Sequence, residues 1–552
     1  MVLKSKEFSK YSLICWSGLV ITLALTPWMN SDSLIIPKVI ILFCLSLYLL
    51  PNLLNFRKFF KTNWIVKLLI FISILYILQL ILVVIKSDAP FEQQFYGRTG
   101  RGLGFITEIS LVILLLVTSM FANSKNLKVF LFTLTLACTI TSAYSILQKF
   151  GLDIFQWVTR TNGIIGTLGN PNFQSSFAAM CLVPSIVFLF NRKYVSYGLI
   201  STASLTILIF LSQSTQGYIL AIASVLFLLI IWTYFKNKIL SVSFIVLSLI
   251  FGFFVFIGML NLGPLNQYLY KGSVQSRMDF YETTFKIANQ NPLFGVGIDS
   301  LGDYYLMNRS ERVARGINEF TDSAHNYFLN YASTGGYPLA LLYVLLNLIV
   351  LYNFIALFRQ CKSFDPILTS LFCVWASFQL QSLISPSNIP LIVWNAIVSG
   401  TVIGLANNRY KEIDFRDPII NYGLNLIKPF SSFLLLVGLI ITYPYFNVDR
   451  LQMQANKKGD ALLALKAAKS FPESVVRYSR LGQALLDSKL PDQALDLARS
   501  AVAFNPNAPS AWALLLLNEK ASYEERTKAR EEILRLDPFN DQVRAFIVPN
   551  KS

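Results

Sequence analysis

The sequence has little charge and almost no histidine. Charged residues make up 14% of its 552 residues, and His325 is the single histidine. Ordinary soluble domains have roughly 25% charged residues, so the shortage of charge argues against a soluble protein. Apolar residues make up 54% of the chain, a composition typical of a membrane protein. With one histidine, the sequence predicts no metal site of the zinc type.

Cysteine is also scarce, and its positions exclude a disulfide framework. Five of the six cysteines fall in predicted membrane spans, and the sixth, Cys361, falls in a predicted cytoplasmic loop. No pair has the spacing of metal ligands, and none lies in a predicted exported segment. We therefore expect neither disulfides nor a cysteine-bound metal.

The net charge of +17 at first suggests a nucleic-acid-binding protein, but its distribution does not. The seven connections that we predict to be cytoplasmic hold 18 Lys and Arg against 5 Asp and Glu. This bias is the positive-inside pattern of a multi-pass membrane protein. No basic face with interleaved aromatic residues remains for a nucleic acid.

Apolar runs predict thirteen spans, and therefore an all-α, polytopic membrane helix bundle. The first run follows three lysines and resembles a signal peptide, but it lacks a cleavage site, so we interpret it as an uncleaved span. Alternation of basic connections places the N-terminus in the cytoplasm and the C-terminus outside it. The spans are predicted at about 11–28, 34–54, 64–85, 103–121, 129–147, 173–190, 195–212, 218–235, 239–262, 338–358, 367–384, 389–406 and 429–445.

The chain divides into a membrane domain, residues 1–445, and a tail, residues 446–552, of soluble composition. Pro472, Pro506 and Pro538 recur in the tail at intervals of 34 and 32 residues. The intervening segments resemble tetratricopeptide repeats, in which two helices cross at small residues and a proline follows the second. Such repeats need neighbours to bury their faces. We expect an extracytoplasmic helical-repeat domain that packs on the membrane domain or on a protein partner.

The predicted outer connections hold the candidate chemistry, above all a large loop at about 263–337. Ser276 is predicted to cap a first short helix in that loop, which should end before Pro292. A second helix is predicted to include His325 and to end at Gly335 and Gly336. The smaller connections contain FYGRTGRG at 95–102, GTLGNPNF at 166–173 and QSTQG at 213–217.

Arginines on this side are candidates for binding an anion, because the guanidinium fork matches phosphate oxygens. Arg277 is the strongest candidate, since it lies at the predicted start of a helix, where backbone N–H groups also favour anions. The alternative is that the arginines pair with acidic residues of the loop or with lipid headgroups. The other candidates are Arg98, Arg101, Arg160, Arg309, Arg312 and Arg315.

His325 is a candidate general base, which Asp322 or Asp299 would orient. The alternative is a histidine that only packs or lies at the surface. Asn170 and Asn172 of the GTLGNPNF turn are candidate sugar contacts, although tight-turn geometry alone also explains that turn. The residues alone decide neither between the two roles of His325 nor between the two explanations of the GTLGNPNF turn.

Three of these segments together resemble the bacterial O-antigen ligase family, which includes O-antigen polymerases and O-linking oligosaccharyltransferases. They are GTLGNPNF, the run from Ser276 to Tyr305 that contains NPLFGVGIDSLGDYY, and SAHNYFLNYASTGG at 323–336. The resemblance covers roughly residues 90–405 and implies a GT-C-like bundle in the cytoplasmic (inner) membrane. Some members of the family also have C-terminal tetratricopeptide repeats.

The resemblance implies transfer of a glycan from a polyprenyl-diphosphate carrier to a lipid, glycan or protein hydroxyl on the outer face. No cofactor or metal is implied. Arg277 matches the phosphate-contacting arginine of the family and His325 its catalytic histidine, and Asn326 follows it in the same motif. Many members have Ser-Arg-Gly where this chain has Ser214-Thr215-Gln216-Gly217, so Gln216 is a candidate glycan contact. Arg98, Arg101 or Arg160 would then bind the diphosphate.

A second function from another class is open at this point. The chain could be a non-catalytic membrane scaffold that recruits envelope proteins through its tail. Catalysis predicts that Arg277 and His325 lie close together, whereas a scaffold predicts an exposed apolar groove on the repeats.

Overall fold

We analysed a computed structural model of the chain, which describes residues 9–54, 63–155, 157, 164–270, 272–316, 318–408 and 418–548. Within these residues the regular elements are all helical, with 24 α-helices and no strand. The predicted all-α class is therefore confirmed.

A helix coincides with each of the thirteen predicted spans. The helices, numbered in chain order, are α1 (Lys10–Leu23), α2 (Ile36–Leu49), α3 (Trp64–Lys86), α5 (Phe105–Phe121), α6 (Leu127–Lys149), α7 (Pro171–Leu189), α8 (Val195–Leu211), α9 (Thr215–Lys236), α10 (Lys238–Met259), α15 (Tyr327–Gln360), α16 (Pro366–Ser382), α17 (Ile389–Asn408) and α18 (Pro418–Lys458). Short helix α4 (Phe91–Tyr96) lies between α3 and α5.

Nine helices in the described part of the chain are long and apolar enough to cross a membrane. Of the remaining four at predicted spans, α1, α5 and α8 are apolar but shorter, and α16 has 17 residues. Buried apolar side chains join most of these helices in one large core. The chain is a multi-pass helical membrane protein.

The predicted outer connections meet at one end of the bundle. Asp32, between α1 and α2, accepts the N–H of Gly100 at 3.0 Å. Ser214 donates to Asn172 at 2.7 Å, which joins two further connections. Lys10 and Asn52 contact each other at the other end of the bundle, at the predicted cytoplasmic ends of the first two spans. We call the end that contains the large loop the loop end.

Four short helices build the large loop: α11 (Asn266–Leu269), α12 (Gly272–Gln290), α13 (Leu301–Asn308) and α14 (Glu311–Arg315). The prediction that Ser276 caps α12 is wrong, because the helix begins one turn earlier. Ser276 donates instead to the carbonyl of Gly272 at 2.9 Å. Val274 and Ser276 are both buried, and this tertiary packing extends the helix beyond the local capping signal. The predicted end before Pro292 is confirmed.

His325 precedes its predicted helix and does not lie on it. Its backbone has a φ of 53°, in the left-handed region that interrupts a helix. Asn326 is the N-cap of α15, and its side chain accepts the N–H of Leu329 at 3.0 Å. The helix therefore begins at Tyr327, because asparagine is a strong N-cap.

Two glycine-rich turns pack against each other beside α15. Gly336 has a φ of 79° and divides α15 into two segments, so the predicted helix end is confirmed. A Cβ on Gly336 would lie 2.3 Å from the carbonyl oxygen of Leu293, which only glycine avoids. The N–H of Val296 donates to the Ser333 carbonyl at 2.8 Å. Loop geometry thus accounts for the NPLFGVG segment.

The tail continues from α18 through six helices: α19 (Ala461–Lys469), α20 (Val475–Asp487), α21 (Pro491–Phe504), α22 (Pro509–Leu516), α23 (Tyr523–Leu536) and α24 (Asp541–Ala545). The pairs α20–α21 and α22–α23 lie between the recurring prolines. A Cβ on Gly482 of α20 would lie 2.4 Å from Leu514, so a small residue allows the two pairs to approach closely.

The tail packs on the large loop through a buried ion pair. Arg309, which follows α13, lies 2.6 Å from Asp537, which follows α23, and both side chains are about 95% buried. Arg309 also contacts Asn318. Met307 of α13 packs against the apolar core of the tail. Polar and apolar contacts therefore hold the tail to the loop.

We expect Asp537→Ala to lower the free energy of unfolding by about 3 kcal/mol, because it leaves the buried guanidinium of Arg309 without its carboxylate. The contact with Asn318 keeps the effect at the low end of the range for broken buried pairs. Thermal unfolding and limited proteolysis of the tail measure it. The matched control is Glu532→Ala, which breaks an exposed pair with Arg535 on α23 and should cost under about 1 kcal/mol. Equal effects of the two substitutions would contradict the expectation.

Candidate functional site

Ion pairs join the FYGRTGRG connection to the large loop. Arg98 lies 2.7 Å from Asp303, and Arg101 lies 2.9 Å from Asp322 and 3.4 Å from Asp299. Asp299 also accepts the backbone N–H groups of Arg98 and Leu103, at 2.8 and 3.2 Å. Two arginines thus share three carboxylates, and we call these five residues the Arg–Asp network.

Asp303 is the point where the network meets the tail. Its Oδ2 atom accepts hydrogen bonds from Gln93 of α4 and Asn505 of the tail, each at 3.0 Å. Asp303 is 4% exposed, so its charge depends on these donors and on Arg98. The sequence analysis missed Asp303, because only its place in the GDYY segment marks it.

Arg277 differs from the other arginines of the large loop. Arg309, Arg312 and Arg315 are each within 4 Å of a carboxylate. Within the described residues, no carboxylate pairs with Arg277, and its buried Nε atom has no hydrogen-bond partner. Burial lowers the pKa of Arg277. This guanidinium has donors available for a ligand.

His325 lies beside Arg277 and packs on the same helix. The ring of Phe280, on α12, is centred 5.2 Å from the imidazole, and the hydroxyl of Tyr281 donates to the His325 carbonyl at 3.4 Å. The Nδ1 atom of His325 is buried and lacks a hydrogen-bond partner among the described residues. Neither Asp322 nor Asp299 is hydrogen-bonded to it there. Asp322 acts on the imidazole through its charge only.

The surroundings of His325 keep its imidazole neutral. Burial lowers the pKa of His325 to about 4, the positive charges of Arg277 and Arg101 act in the same direction, and Asp322 partly opposes them. The pKa of Asp322 is below its usual value, because Arg101 and Arg98 outweigh the effect of burial. At neutral pH the site therefore contains a neutral imidazole next to an unpaired guanidinium.

One connection that the sequence reasoning missed closes the site on another side. The segment 383–388, between α16 and α17, accepts hydrogen bonds through the Leu383 carbonyl from Tyr281 at 2.8 Å and from Asn326 at 3.2 Å. Asn388 of the same segment donates to the Leu168 carbonyl at 3.2 Å. The segment is short and uncharged, so only its contacts reveal it.

The remaining candidates have structural partners or lie outside the described residues. Asn170 is the N-cap of α7 and accepts the N–H of Asn172 at 2.8 Å. Gln216 is buried and donates to Ser176 at 2.8 Å, while its own carbonyl oxygen has no partner. Arg160 lies outside the part of the chain that the structure describes. Among the hydrogen bonds of the described residues, none joins Asn170, Asn172 or Gln216 to His325.

Among the described residues there is no group of three His, Cys, Asp or Glu side chains that could hold a metal ion. The carboxylates nearest the site are those of the Arg–Asp network. Arginines and backbone N–H groups surround them, so the donors around them compete with any cation.

Comparison with known proteins gives one match. Residues 200–344 match the family model described as O-Antigen ligase. Nothing among curated proteins or solved structures matched the chain. The matched segment runs from α8 into α15 and contains both Arg277 and His325. This segment of the chain therefore resembles the O-antigen ligase family.

Proposed function

We propose that the chain transfers a glycan from a polyprenyl-diphosphate carrier to an acceptor hydroxyl at the loop end, on the outer face of the cytoplasmic membrane. The match to the O-antigen ligase family supports a glycan-transferring ligase. The observation that carries the finer proposal is the unpaired, half-buried guanidinium of Arg277, whose charge acts on the neutral imidazole of His325. One group suits a leaving diphosphate and the other an attacking hydroxyl.

Arg277 is suited to the leaving group because a half-buried, unpaired cation gains from an arriving anion. Charge-assisted hydrogen bonds to phosphate oxygens would replace the solvation that burial has removed. Diphosphate leaves readily once its charge is balanced, so the reaction would need neither metal nor cofactor.

His325 is suited to activate the acceptor. A neutral imidazole accepts the proton of the acceptor hydroxyl while its oxygen attacks the anomeric carbon. The new bond forms between that oxygen and that carbon, and the bond from the carbon to the diphosphate oxygen breaks. The negative charge of the bound donor would offset the charges of Arg277 and Arg101, which raises the pKa of His325 and makes it a better base in the complex.

The other predicted diphosphate ligands fit a different role. Arg98 and Arg101 are compensated by three aspartates, so binding a donor would compete with existing ion pairs. We propose that they mainly position the large loop, and that Arg101 also tunes His325 through its charge. The candidate glycan contacts are still Asn170, Asn172, Gln216 and Asn326. Arg160 is still a candidate ligand for the diphosphate.

The scaffold alternative is less favoured. It predicts an exposed apolar groove on the repeats and no cluster of Arg277 and His325, whereas the charge of Arg277 acts on His325 at the loop end. Asn505 and Asp537 of the tail also bond to the large loop. These contacts fit a tail that belongs to the enzyme. A protein partner that binds other faces of the tail is compatible with glycan transfer.

We expect His325→Ala to lower the rate of transfer by about 10²–10⁴-fold, the usual contribution of a general base. The measurement is the amount of lipid-linked glycan and of finished surface glycan in a deletion strain complemented with each variant. At equal protein level, the variant should accumulate the lipid-linked donor and lose surface glycan. A deletion that changes neither pool would disprove transfer and favour the scaffold. Full rescue by His325→Ala would leave glycan transfer as the function but would show that His325 does not catalyse it.

We expect Arg277→Ala to lower transfer by about 10- to 100-fold, the value of a charge-assisted hydrogen bond or two. Arg277→Lys should keep part of the activity, since it keeps the charge and loses the fork. The matched control is Arg312→Ala. Arg312 is 64% exposed and already pairs with Asp279 and Glu282, so its loss should leave transfer nearly unchanged. The assay is the initial rate of the purified protein with lipid-linked donor. Equal losses at both positions would contradict a specific role for Arg277.

The pH dependence follows from the pKa of His325. Since this pKa is about 4 in the free protein, kcat/KM should be flat through neutral pH and fall only as the pH drops towards 4, where the imidazole becomes protonated. The acid limb of kcat should lie at higher pH, because bound diphosphate raises the same pKa. An acid limb of kcat/KM near the ordinary value for histidine, about 6.5, would contradict the buried, neutral imidazole.

A further inference from the structure

A cavity of about 550 Å³ lies between the large loop and the tail. Arg309, Arg315 and Asn318 line it on the loop side, and Asp537, Phe539 and Gln542 line it on the tail side. Its volume is in the range of ligand-binding sites, about 300–1,000 Å³. We call it the loop–tail cleft.

The lining of the cleft is polar but electrically balanced. Arg309 pairs with Asp537, Arg315 pairs with Glu311 at 2.7 Å, and Asp541 lies 3.7 Å from Arg544. A phosphate or another strong anion would have to compete for arginines that are already neutralised. A neutral ligand with many hydrogen-bonding groups meets no such competition.

The uncharged groups of the lining suit a sugar chain. The side-chain amide of Gln542 offers donors and an acceptor, as hydroxyl groups require. Asn318 keeps its N–H donors, while its Oδ1 atom accepts from Arg309. Asn540 caps α24 and donates to Asp537 at 3.1 Å, so it mainly shapes the cleft.

Phe539 is half-buried and supplies an aromatic ring in the same lining. Aromatic rings pack on the apolar face of a sugar ring, while amides bond to its hydroxyl edge. An extended peptide would instead need apolar pockets for its side chains.

Two aromatic rings lie between His325 and the helix that borders the cleft. Tyr305 of α13 packs edge-on against Phe280 at 5.9 Å, and Phe280 in turn packs against His325. Leu306 and Arg309, at the end of the same helix, line the cleft. A glycan with its reacting end at His325 would have to extend past Phe280 and Tyr305 to reach the cleft.

We propose that the loop–tail cleft binds a neutral stretch of the glycan chain, away from the end that reacts. This inference rests on the proposed function, since it takes its ligand from that reaction. The cleft selects chain length: a glycan with many units reaches both the cleft and His325, and a single short unit reaches only one of them. The tail is thereby a part of the substrate site.

The test uses the full chain in detergent and, as probe, oligosaccharides released by mild acid from the lipid-linked pool of the same strain. Calorimetry with size-fractionated probe should show binding of the long fractions. Phe539→Leu keeps an apolar side chain and removes the ring, so it should weaken that binding about 3- to 10-fold. Phe539→Tyr keeps the ring and should bind like the wild type.

A role of Phe539 in folding alone would change the melting temperature and leave the affinity of the folded protein as it is, which would overturn the proposal. Gln542→Ala serves as the second variant, because Gln542 is exposed and its side chain forms no hydrogen bond with the other described residues. It too should weaken binding of the long fractions. Equal affinity of wild type, Phe539→Leu and Gln542→Ala, or no binding by the wild type, would also overturn the proposal.

The two proposals fail in distinguishable ways. His325→Ala should bind the long fractions as tightly as the wild type. In transfer assays Phe539→Leu should raise KM for long donors while kcat, and the rate with a single-repeat donor, stay unchanged. If His325→Ala blocks transfer but the cleft variants bind normally, only the cleft proposal fails. If the cleft variants lose binding while His325→Ala still transfers, only the catalytic proposal fails.

Discussion

The Arg–Asp network, in which Arg98 and Arg101 share Asp299, Asp303 and Asp322, is the constraint on which the loop end depends. It joins residues about 200 positions apart in the chain, and four of its five side chains are at most 12% exposed. A buried charge is tolerable only when it is paired and hydrogen-bonded. Each member therefore fixes the others, and together they fix where the large loop lies on the bundle.

Arg277 stands apart from the other arginines of the loop end. Among the described residues no carboxylate pairs with it, since Asp279, two residues along the chain, pairs with Arg312, and its charge acts on His325. A cation in this state keeps its neighbour neutral and attracts an anion at the same time. The two demands of glycan transfer, an unprotonated base and a receptor for diphosphate, thus follow from one arrangement of charges.

The tail takes part in this arrangement. Asn505 donates to Asp303, which holds Arg98, so one hydrogen bond connects the tail to the Arg–Asp network. The buried pair of Arg309 and Asp537 fastens the same two parts at a second point. A fixed junction between tail and loop is what the proposed glycan-binding cleft requires.

The sequence by itself determined the helical membrane bundle, and it predicted the resemblance to the O-antigen ligase family and the two candidate site residues, Arg277 and His325. These follow from hydropathy and from local motifs, which do not depend on how the helices pack. Tertiary structure alone decided which arginines are free, because pairing depends on carboxylates distant in sequence. It also moved the start of α12 and excluded His325 from α15, where burial of Val274 and capping by Asn326 outweighed the local signals. Burial, which no local pattern reports, then set the protonation of the imidazole.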